Sequence, residues 1–354
     1  MPSPNLKDIL SRARDEESLK LSELTELISL DDPFDMEELF ALSRELRNRY
    51  TGTQIFTYGF VYHSTICRND CLFCAYRKSN RHNKRYRKSL AEVLEASRSL
   101  SEQGVNLIDL TMGEDPKTDE PEYLESVAQL IFEVKRETGA PIMISPGLVG
   151  SAALRLFQEA GALWYACYQE TYSPQLFKRL RVGQSFQKRL SAKIEAKRAG
   201  LLVEEGILCG VGETPQELAL SVLAMKELKA AQVRAMAYVP PKENISELKG
   251  LAPDEARVRE LIMIAVLRLT HPQALIPASL DVEGISGISQ RLKAGANLIT
   301  SFVPAGIGLQ GVAQAELDID NQMRSVASVT GLLSQMQLSL ASRESYLEKV
   351  RELQ

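Results

Sequence analysis

The chain has 354 residues and a formal net charge of −4, with 44% hydrophobic and 25% charged residues, a composition typical of a globular protein. The small negative charge excludes the basic surface of most nucleic-acid-binding proteins, and the sequence has no apolar run of about 18 residues that would predict a membrane span. The first 20 residues are charged throughout and do not resemble a signal peptide, so we expect a cytoplasmic protein.

Short apolar runs alternate with helical segments along most of the chain. Residues 5–50 have apolar positions at helical spacing and predict N-terminal helices. From residue 53 the alternation begins, and it predicts parallel strands because parallel neighbours need crossover connections. The strand-like runs are 55–62, 106–112, 141–145, 163–168, 201–208, 233–239, 274–279 and 297–303, and the helical segments lie near 89–103, 121–138, 151–160, 187–199, 215–230, 254–270 and 286–295.

Eight strand–helix units favour an α/β fold of the closed (β/α)8 TIM-type barrel. An open doubly wound sheet is the alternative, but the glycine-rich first turn that it would need is missing from the sequence. We expect one domain over residues 1–354, with the barrel at 53–303 and flanking helices at 1–50 and 312–354. Active sites of such barrels lie at the carboxyl ends of the strands.

A C-x3-C-x2-C motif follows the first predicted strand and is formed by Cys67, Cys71 and Cys74. Three thiolates with no fourth nearby hold three irons of a [4Fe–4S] cluster and leave one iron open to an exogenous ligand. A zinc site would need four ligands, and a disulfide framework is typical of small secreted chains. The motif therefore predicts a [4Fe–4S] cluster in a reducing cytoplasm. Cys167 and Cys209 lie in apolar runs and are expected to be buried.

The stretch from residue 77 to residue 88 is rich in lysine and arginine. A nucleic-acid patch is one interpretation, but the rest of the chain is acidic. A solvated loop that serves as a docking site for an electron donor is favoured.

Polar residues interrupt several predicted strands, where both faces are covered and each polar group needs a partner. Asp109 and Arg234 interrupt the second and sixth runs. An α-amino acid with a second amine suits this set, because arginine pairs with a carboxylate and aspartate with each ammonium group. The alternative is an internal salt bridge between Asp109 and Arg234, which burial makes costly. The predicted substrate-binding residues are Asp109, Arg234, Ser279, Asp281, Thr300 and Ser301.

The cysteine spacing resembles the signature of the radical S-adenosylmethionine (SAM) enzymes. The resemblance implies that the open iron binds SAM and that one electron cleaves SAM to a 5′-deoxyadenosyl radical. It also implies that Phe73 lies near the adenine and that the backbone of Gly113 and Glu114 contacts the methionine amino group, with a plain βα turn as the alternative. A carboxylate with two arginines suits a zwitterion, although arginines on helices usually lie at the surface. The predicted cofactor-binding residues are Phe73, Tyr76, Gly113, Glu114, Ser145, Gln169, Glu170, Arg181 and Arg189.

The chain as a whole is similar to the biotin-synthase-like branch of these enzymes and, within it, to the 3-methylornithine synthases of pyrrolysine biosynthesis. The similarity runs from about residue 48 to residue 303, and its most selective stretches are LTMGEDP, YQETY with KRLRVGQSF, and IPASLDVEGI. It implies a rearrangement of L-lysine to (3R)-3-methyl-D-ornithine by radical fragmentation and recombination, with a ferredoxin or flavodoxin as electron donor. One departure is the loop at 241–246, which reads PKENIS where the family has P-x-x-G-T-P.

Three other functions are compatible with parts of the same sequence. Biotin synthase needs three further cysteines and an arginine for a second cluster, and only Cys167 and Cys209 remain here. A biotin-synthase-like protein of hydrogenase cofactor maturation shares the barrel and is the alternative function. A cavity lined by aspartate and arginine favours the mutase, whereas a cavity without such pairs favours the maturase. A zinc-binding interaction module is disfavoured because a fourth ligand is missing.

Overall fold

Eight parallel strands form the centre of the molecule, in the order β6-β5-β4-β3-β2-β1-β8-β7. The computed structural model describes residues 4–82, 84–240, 248, 250–304 and 324–354. The two ends of the sheet meet where Val233 N donates to Leu275 O at 3.0 Å, so the predicted (β/α)8 barrel is confirmed. The strands are β1 Gln54–Ser64, β2 Leu107–Met112, β3 Ile142–Ser145, β4 Trp164–Ala166, β5 Leu202–Cys209, β6 Gln232–Ala237, β7 Pro277–Ser279 and β8 Leu298–Phe302.

Helices surround the barrel, and their ends are set by ordinary capping chemistry. Ser89 accepts a hydrogen bond from Glu92 N, and the Glu92 side chain accepts one from Ser89 N, so a capping box starts the first crossover helix. The helices are α1 Pro4–Arg14, α2 Leu21–Ile28, α3 Pro33–Thr51, α4 Leu90–Glu102, α5 Pro121–Thr138, α6 Ser151–Glu159, α7 Pro174–Leu180, α8 Phe186–Arg198, α9 Pro215–Leu228, α10 Pro253–Thr270, α11 Leu280–Glu283, α12 Ile288–Lys293, α13 Val326–Gln335 and α14 Arg343–Leu353.

The helix next to β1 approaches the sheet closely because the strand has a glycine at the contact. A Cβ added to Gly59 would lie 2.8 Å from Leu100 Cδ2 of α4. Side chains alternate along β1, so its neighbours Tyr58 and Phe60 point into the barrel, where they pack with one another. The glycine therefore lets α4 pack closely against the outer face of the strand.

The amino end of the barrel is closed by the last helix. Tyr346 of α14 is fully buried and meets Phe56 edge to face, with ring centroids 5.7 Å apart. The strand β9, Ser339–Leu340, precedes this helix and pairs in parallel with the start of β1. The apolar residues inside this end of the barrel are Phe56, Leu107, Met143, Trp164, Leu202, Leu275, Leu298 and Val350.

Some elements differ from the sequence-based expectation. The short helices α7 and α11 and the two-residue strand β9 were not predicted, because they are too short to show a periodic pattern. The strands β4 and β7 are shorter than their apolar runs, because β4 stops before the end of its run and β7 starts three residues after the beginning of its run. The loop at 241–246 and residues 312–323 of the predicted C-terminal helices lie outside the described residues. In the described part of the chain, no helix has both the length and the apolar character to cross a membrane.

Candidate active site at the carboxyl ends of the strands

The three motif cysteines lie in the loop that leaves β1 at the carboxyl end of the barrel. Cys71 is buried, Cys67 and Cys74 are half-buried, and all three are free thiols. Leu72 N donates to Leu180 O at 2.9 Å, which fastens the loop to the end of α7. The loop therefore has a fixed position over the barrel.

An arginine in the basic stretch stabilises the cysteine loop from within. Arg85 donates to the backbone oxygens of Thr65, Tyr76, Arg77 and Asn80 at 2.7 to 2.9 Å. The prediction that this stretch is a solvated loop is thus wrong for Arg85, which is half-buried. One guanidinium has enough N–H donors to bind all four carbonyl groups. Exposed cations of the stretch are Lys78, Arg81, Lys84 and Arg87, of which Arg87 pairs with Asp115 at 2.7 Å.

The surroundings of the thiols suit a ligated cluster. Burial raises the pKa of Cys74 to about 12, and burial also raises the pKa of Cys67. Gln184 Nε2 donates to Cys71 Sγ at 3.0 Å, and Arg181 Nη1 lies 3.6 Å from the same atom. Bound iron deprotonates a coordinating thiol, and these donors then stabilise the thiolate charge.

The described residues contain no group of three or more His, Cys, Asp or Glu side chains that converge as the ligands of one metal ion do. A [4Fe–4S] cluster makes a different demand, because its thiolates bind separate irons and stand further apart than the ligands of a single ion. The thiols of Cys67, Cys71 and Cys74 are nevertheless near enough for each charge to act on the next.

The turn after β2 touches the cysteine loop through Gly113. A Cβ at this position would lie 2.4 Å from Ile66 O and 2.9 Å from Cys67 Cβ, so a larger residue would push the two loops apart. Arg68 N donates to Glu114 O at 2.8 Å across the same contact. The Glu114 carboxylate turns away, accepting from Leu148 N at 3.0 Å and lying 3.5 Å from Arg189 Nη1.

Two arginines meet at one backbone carbonyl after β4. Arg181 Nη2 and Arg189 Nε donate to Tyr168 O at 2.7 Å and 2.6 Å. Arg181 also pairs with Glu170 at 2.8 Å, and it lies over the ring of Phe73 with its guanidinium carbon 5.1 Å from the ring centroid. Glu170 has a φ of +68°, and burial raises the pKa of its carboxyl group. This corner therefore brings four of the predicted cofactor residues together beside the cysteine loop.

The side chain of Gln169 points away from Arg181 and Glu170. Its amide accepts from Lys193 Nζ at 2.8 Å and donates to Phe186 O at 3.2 Å, in a buried group outside the barrel. Lys193 also pairs with Glu205, and both side chains are fully buried. The structure does not bring the Gln169 side chain to Arg181 and Glu170, and its role as a cofactor ligand stays a prediction.

Tyr62 lies between the cysteine loop and the barrel interior. Its ring centroid is 5.7 Å from that of Tyr76, another predicted cofactor residue. Burial raises the pKa of Tyr62, and the charges of Asp281 and Cys74 add to the effect. This tyrosine therefore marks the boundary between the predicted cofactor region and the predicted substrate region.

The barrel interior contains a connected set of polar side chains around Asp109. Tyr58 Oη donates to Asp109 Oδ2 at 3.2 Å, and Ser145 Oγ donates to Asp109 Oδ1 at 2.8 Å. Ser145, predicted to bind cofactor, thus contacts a predicted substrate residue. Burial raises the pKa of Asp109 to about 8, and the like charge of Glu204 adds to the effect, whereas the hydrogen bonds from Ser145 and Tyr58 act in the opposite direction.

Arg234 pairs with Glu204 rather than with Asp109. Arg234 Nε donates to Glu204 Oε1 at 3.0 Å, and Arg234 Nη1 donates to Thr300 Oγ1 at 3.3 Å. The internal salt bridge considered for Asp109 and Arg234 is therefore not formed between those two residues.

A second polar group lies at the ends of β7 and β8. Ser301 Oγ donates to Asp281 Oδ2 at 2.6 Å, and the hydroxyls of Ser279 and Ser301 are 3.1 Å apart. Arg324 Nη1 donates to Asp281 Oδ1 at 2.5 Å. The register pairs Ser279 with Thr300, which brings this group next to Arg234. We call the two polar groups together the cage: Tyr58, Asp109, Ser145, Glu204, Arg234, Ser279, Asp281, Thr300, Ser301 and Arg324.

Sequence reasoning missed three residues of the cage. Glu204 interrupts a barrel strand as clearly as Asp109 does, so the rule that selected Asp109 could have found it. Tyr58 gives no such signal, because tyrosine is common in strands. Arg324 follows the barrel by some 20 residues, and nothing local in the sequence connects it with Asp281.

The chain is similar in sequence to known proteins over most of its length. A profile of the Radical SAM superfamily matches residues 61–224. The 3-methylornithine synthase of Methanosarcina acetivorans is 41% identical over 337 residues, which cover 93% of each protein. The FeFe-hydrogenase maturase subunit HydE of Thermotoga maritima is 30% identical over 281 residues, which cover 78% of each.

Solved structures include proteins with the same fold. A crystal structure of methylornithine synthase superposes with a TM-score of 0.85 at 38% identity and covers 96% of this chain and 99% of that one. The maturase HydG from Carboxydothermus hydrogenoformans superposes with a TM-score of 0.82 at 22% identity, covering 95% of this chain and 79% of that one, a likeness that concerns the fold alone.

Proposed function

The chain belongs to the radical SAM superfamily and, within it, to the family of the 3-methylornithine synthases, and on this basis we propose that it rearranges L-lysine to (3R)-3-methyl-D-ornithine, the first step of pyrrolysine biosynthesis. The observation that carries the proposal is the cage. Three buried carboxylates and two buried guanidiniums line a barrel that superposes on a crystal structure of methylornithine synthase over 96% of this chain. A zwitterion with one additional ammonium group suits such a lining.

The cofactors follow from the family. We propose that Cys67, Cys71 and Cys74 bind a [4Fe–4S] cluster, with SAM at its open iron, held by Gly113, Glu114 and the corner formed by Arg181 and Glu170. When bound, the cluster and SAM together supply the radical that takes a hydrogen atom from the substrate. Five free thiols agree with a reducing compartment such as the cytoplasm.

The role of the chain's own residues is to hold the substrate at both ends. Fragmentation and recombination produce two pieces that must stay beside each other until they rejoin. Arg234 suits the carboxylate of the amino-acid piece, and the aspartates suit the ammonium groups. The rings of Tyr62 and Tyr76 contact each other at a tilt of 45° between the cysteine loop and the cage, where they help to exclude water.

An electron donor is the partner that this chemistry needs. We propose an acidic ferredoxin or flavodoxin, which would approach the exposed cations Lys78, Arg81 and Lys84 beside the cysteine loop. These cations follow the three cluster cysteines in the chain. A donor bound to them would lie near the cluster, which suits transfer of one electron at a time.

The maturase alternative is disfavoured by the cage, because paired aspartate, glutamate and arginine side chains line the inside of the barrel. The decisive experiment is anaerobic incubation of the cluster-loaded protein with L-lysine, SAM and a reductant. We expect a product of unchanged mass that co-elutes with authentic 3-methylornithine. Cleavage of SAM with full recovery of lysine, while another small molecule is consumed, would instead favour the maturase function.

A further inference from the structure

Glu204 occupies the middle of the cage, and the sequence similarity assigned it no role. It is fully buried on β5, and its Oε1 accepts from Arg234 Nε at 3.0 Å. Its other oxygen, Oε2, lies 3.4 Å from the hydroxyl of Tyr58. A buried carboxylate that contacts two other cage residues needs an explanation, because burial of an ion pair does not by itself stabilise a fold.

Arg234 keeps donors that the protein does not use. A guanidinium has five N–H donors, and Arg234 commits Nε to Glu204 and Nη1 to Thr300. Its Nη2 lies 2.9 Å from Glu204 Oε1 but makes no hydrogen bond of proper geometry to it. The side chain of Arg234 is 4% exposed, so an incoming carboxylate is the natural acceptor for the remaining donors.

The position of Glu204 decides which edge of Arg234 is free. Contact at Nε fixes the rotation of the guanidinium plane, and the rings of Tyr58 and Tyr168 lie beside it at 5.6 Å and 5.8 Å from the guanidinium carbon. The Nη edge is then the edge left for a ligand.

Tyr58 connects this arrangement to the other end of the cage. Its hydroxyl lies 3.2 Å from Asp109 Oδ2 and 3.4 Å from Glu204 Oε2. The hydroxyl has one proton and donates to one carboxylate at a time, and its place between the two oxygens relates the position of Glu204 to that of Asp109.

We propose that Glu204 is a positioning residue, which acts through Arg234 and Tyr58 to set the separation between the carboxylate-binding and ammonium-binding ends of the cage. The inference rests on the proposed function, since it concerns the same substrate. The inference adds Glu204 as the residue that sets this separation to the length of a diamino acid.

The test compares Glu204→Leu with Glu204→Gln. Leucine removes the acceptor, and we expect the KM for lysine to rise about tenfold or more and 5′-deoxyadenosine to form in excess over product. Glutamine keeps an acceptor oxygen for Arg234 Nε, and we expect it to restore most of the wild-type KM. Cluster iron and SAM affinity should match the wild type in both variants.

Glu260→Leu is the matched control. Glu260 is also fully buried and pairs with Arg291 at 2.6 Å, but it lies between α10 and α12 outside the cage. We expect this variant to lower the thermal midpoint while leaving the KM for lysine unchanged. An equal rise of KM in Glu260→Leu, or a wild-type KM in Glu204→Leu, overturns the proposal.

Two further measurements cover other outcomes. If Glu204→Leu does not fold, Tyr58→Phe cuts the same link, and a wild-type KM with wild-type coupling in that variant overturns the proposal. If the wild-type protein makes no methylornithine, the proposed function fails separately. A crystal structure of Glu204→Leu, or of Tyr58→Phe if the leucine variant does not fold, then decides the positioning role, which is rejected if Arg234 and Asp109 keep their places.

Discussion

Arg324 donates to Asp281 at 2.5 Å, and the guanidinium is fully buried. Asp281 was predicted to face a substrate ammonium group, yet a cation of the protein already neutralises it. The cage therefore holds the carboxylates of Asp109, Glu204 and Asp281 and the guanidiniums of Arg234 and Arg324, which give −3 + 2 = −1 when all are ionised. Lysine carries a net charge of +1 near neutral pH, so the filled cage is electrically balanced when Asp109, whose pKa is raised in the empty cage, has lost its proton.

The ion pair of Arg324 and Asp281 is expected to show strong coupling in a double-mutant cycle. Arg324→Met or Asp281→Asn alone removes one partner and leaves a buried charge, which costs about 3–5 kcal/mol of the free energy of unfolding when the pair is fully buried. The double variant should recover a large part of this loss. Urea unfolding of the four proteins measures the effect, and additive losses would show that the two charges do not interact.

Replacement of any one motif cysteine should abolish cluster binding. Cys71→Ser substitutes a harder ligand for a thiolate, and we expect iron and sulfide content and the EPR signal of the reduced protein to fall to background. Cys209→Ser is the control, since Cys209 is buried on β5 away from the loop and should leave iron content unchanged. Full iron content in Cys71→Ser would contradict the assignment.

The close contact at Gly113 predicts that one added methyl group weakens SAM binding. Gly113→Ala places a Cβ 2.4 Å from Ile66 O and must displace the cysteine loop or the turn after β2. We expect weaker SAM binding, by about tenfold, as measured by equilibrium dialysis on cluster-loaded protein. Gly150→Ala has no atom within 4 Å of the new Cβ and should bind SAM like the wild type. Equal SAM affinities in the two variants would show that the contact does not matter.

The raised pKa of Asp109 predicts how stability depends on pH. The pKa is about 8 in the folded protein and about 3.9 in an unfolded chain. Between these values the folded state binds more protons than the unfolded state, so this group's contribution to stability falls as pH rises through the window and is constant above it.

Asp109→Asn removes this dependence. Without lysine, the variant should gain thermal stability relative to the wild type as pH rises from 5 to 8, which calorimetry at constant ionic strength would measure. Turnover should be lost, because an amide cannot neutralise an ammonium group. A constant difference between the two proteins across this pH range would show that Asp109 is ionised throughout.

The sequence predicts the barrel well, because its eight apolar runs and intervening helices are long and repeat the same order. The cysteine loop was also predictable, since its ligands are close together in the chain. The partners inside the cage were harder to predict. Asp109 and Arg234 were identified as buried polar residues, but strand register decides that Arg234 meets Glu204. Arg324 contacts Asp281 only through the fold, and local sequence carries no sign of such a contact.

The closed amino end of the barrel predicts the order in which substrate and cofactor bind. Tyr346 and Phe56 block that end, so ligands enter from the end that carries the cysteine loop. The cage begins at the level of Tyr58 on β1. The cysteine loop begins after Ser64, the last residue of the same strand, and is therefore nearer the opening. A cofactor seated at the loop therefore lies across the route to the cage. We expect compulsory-order kinetics in which lysine binds before SAM, with methylornithine as the last species to leave.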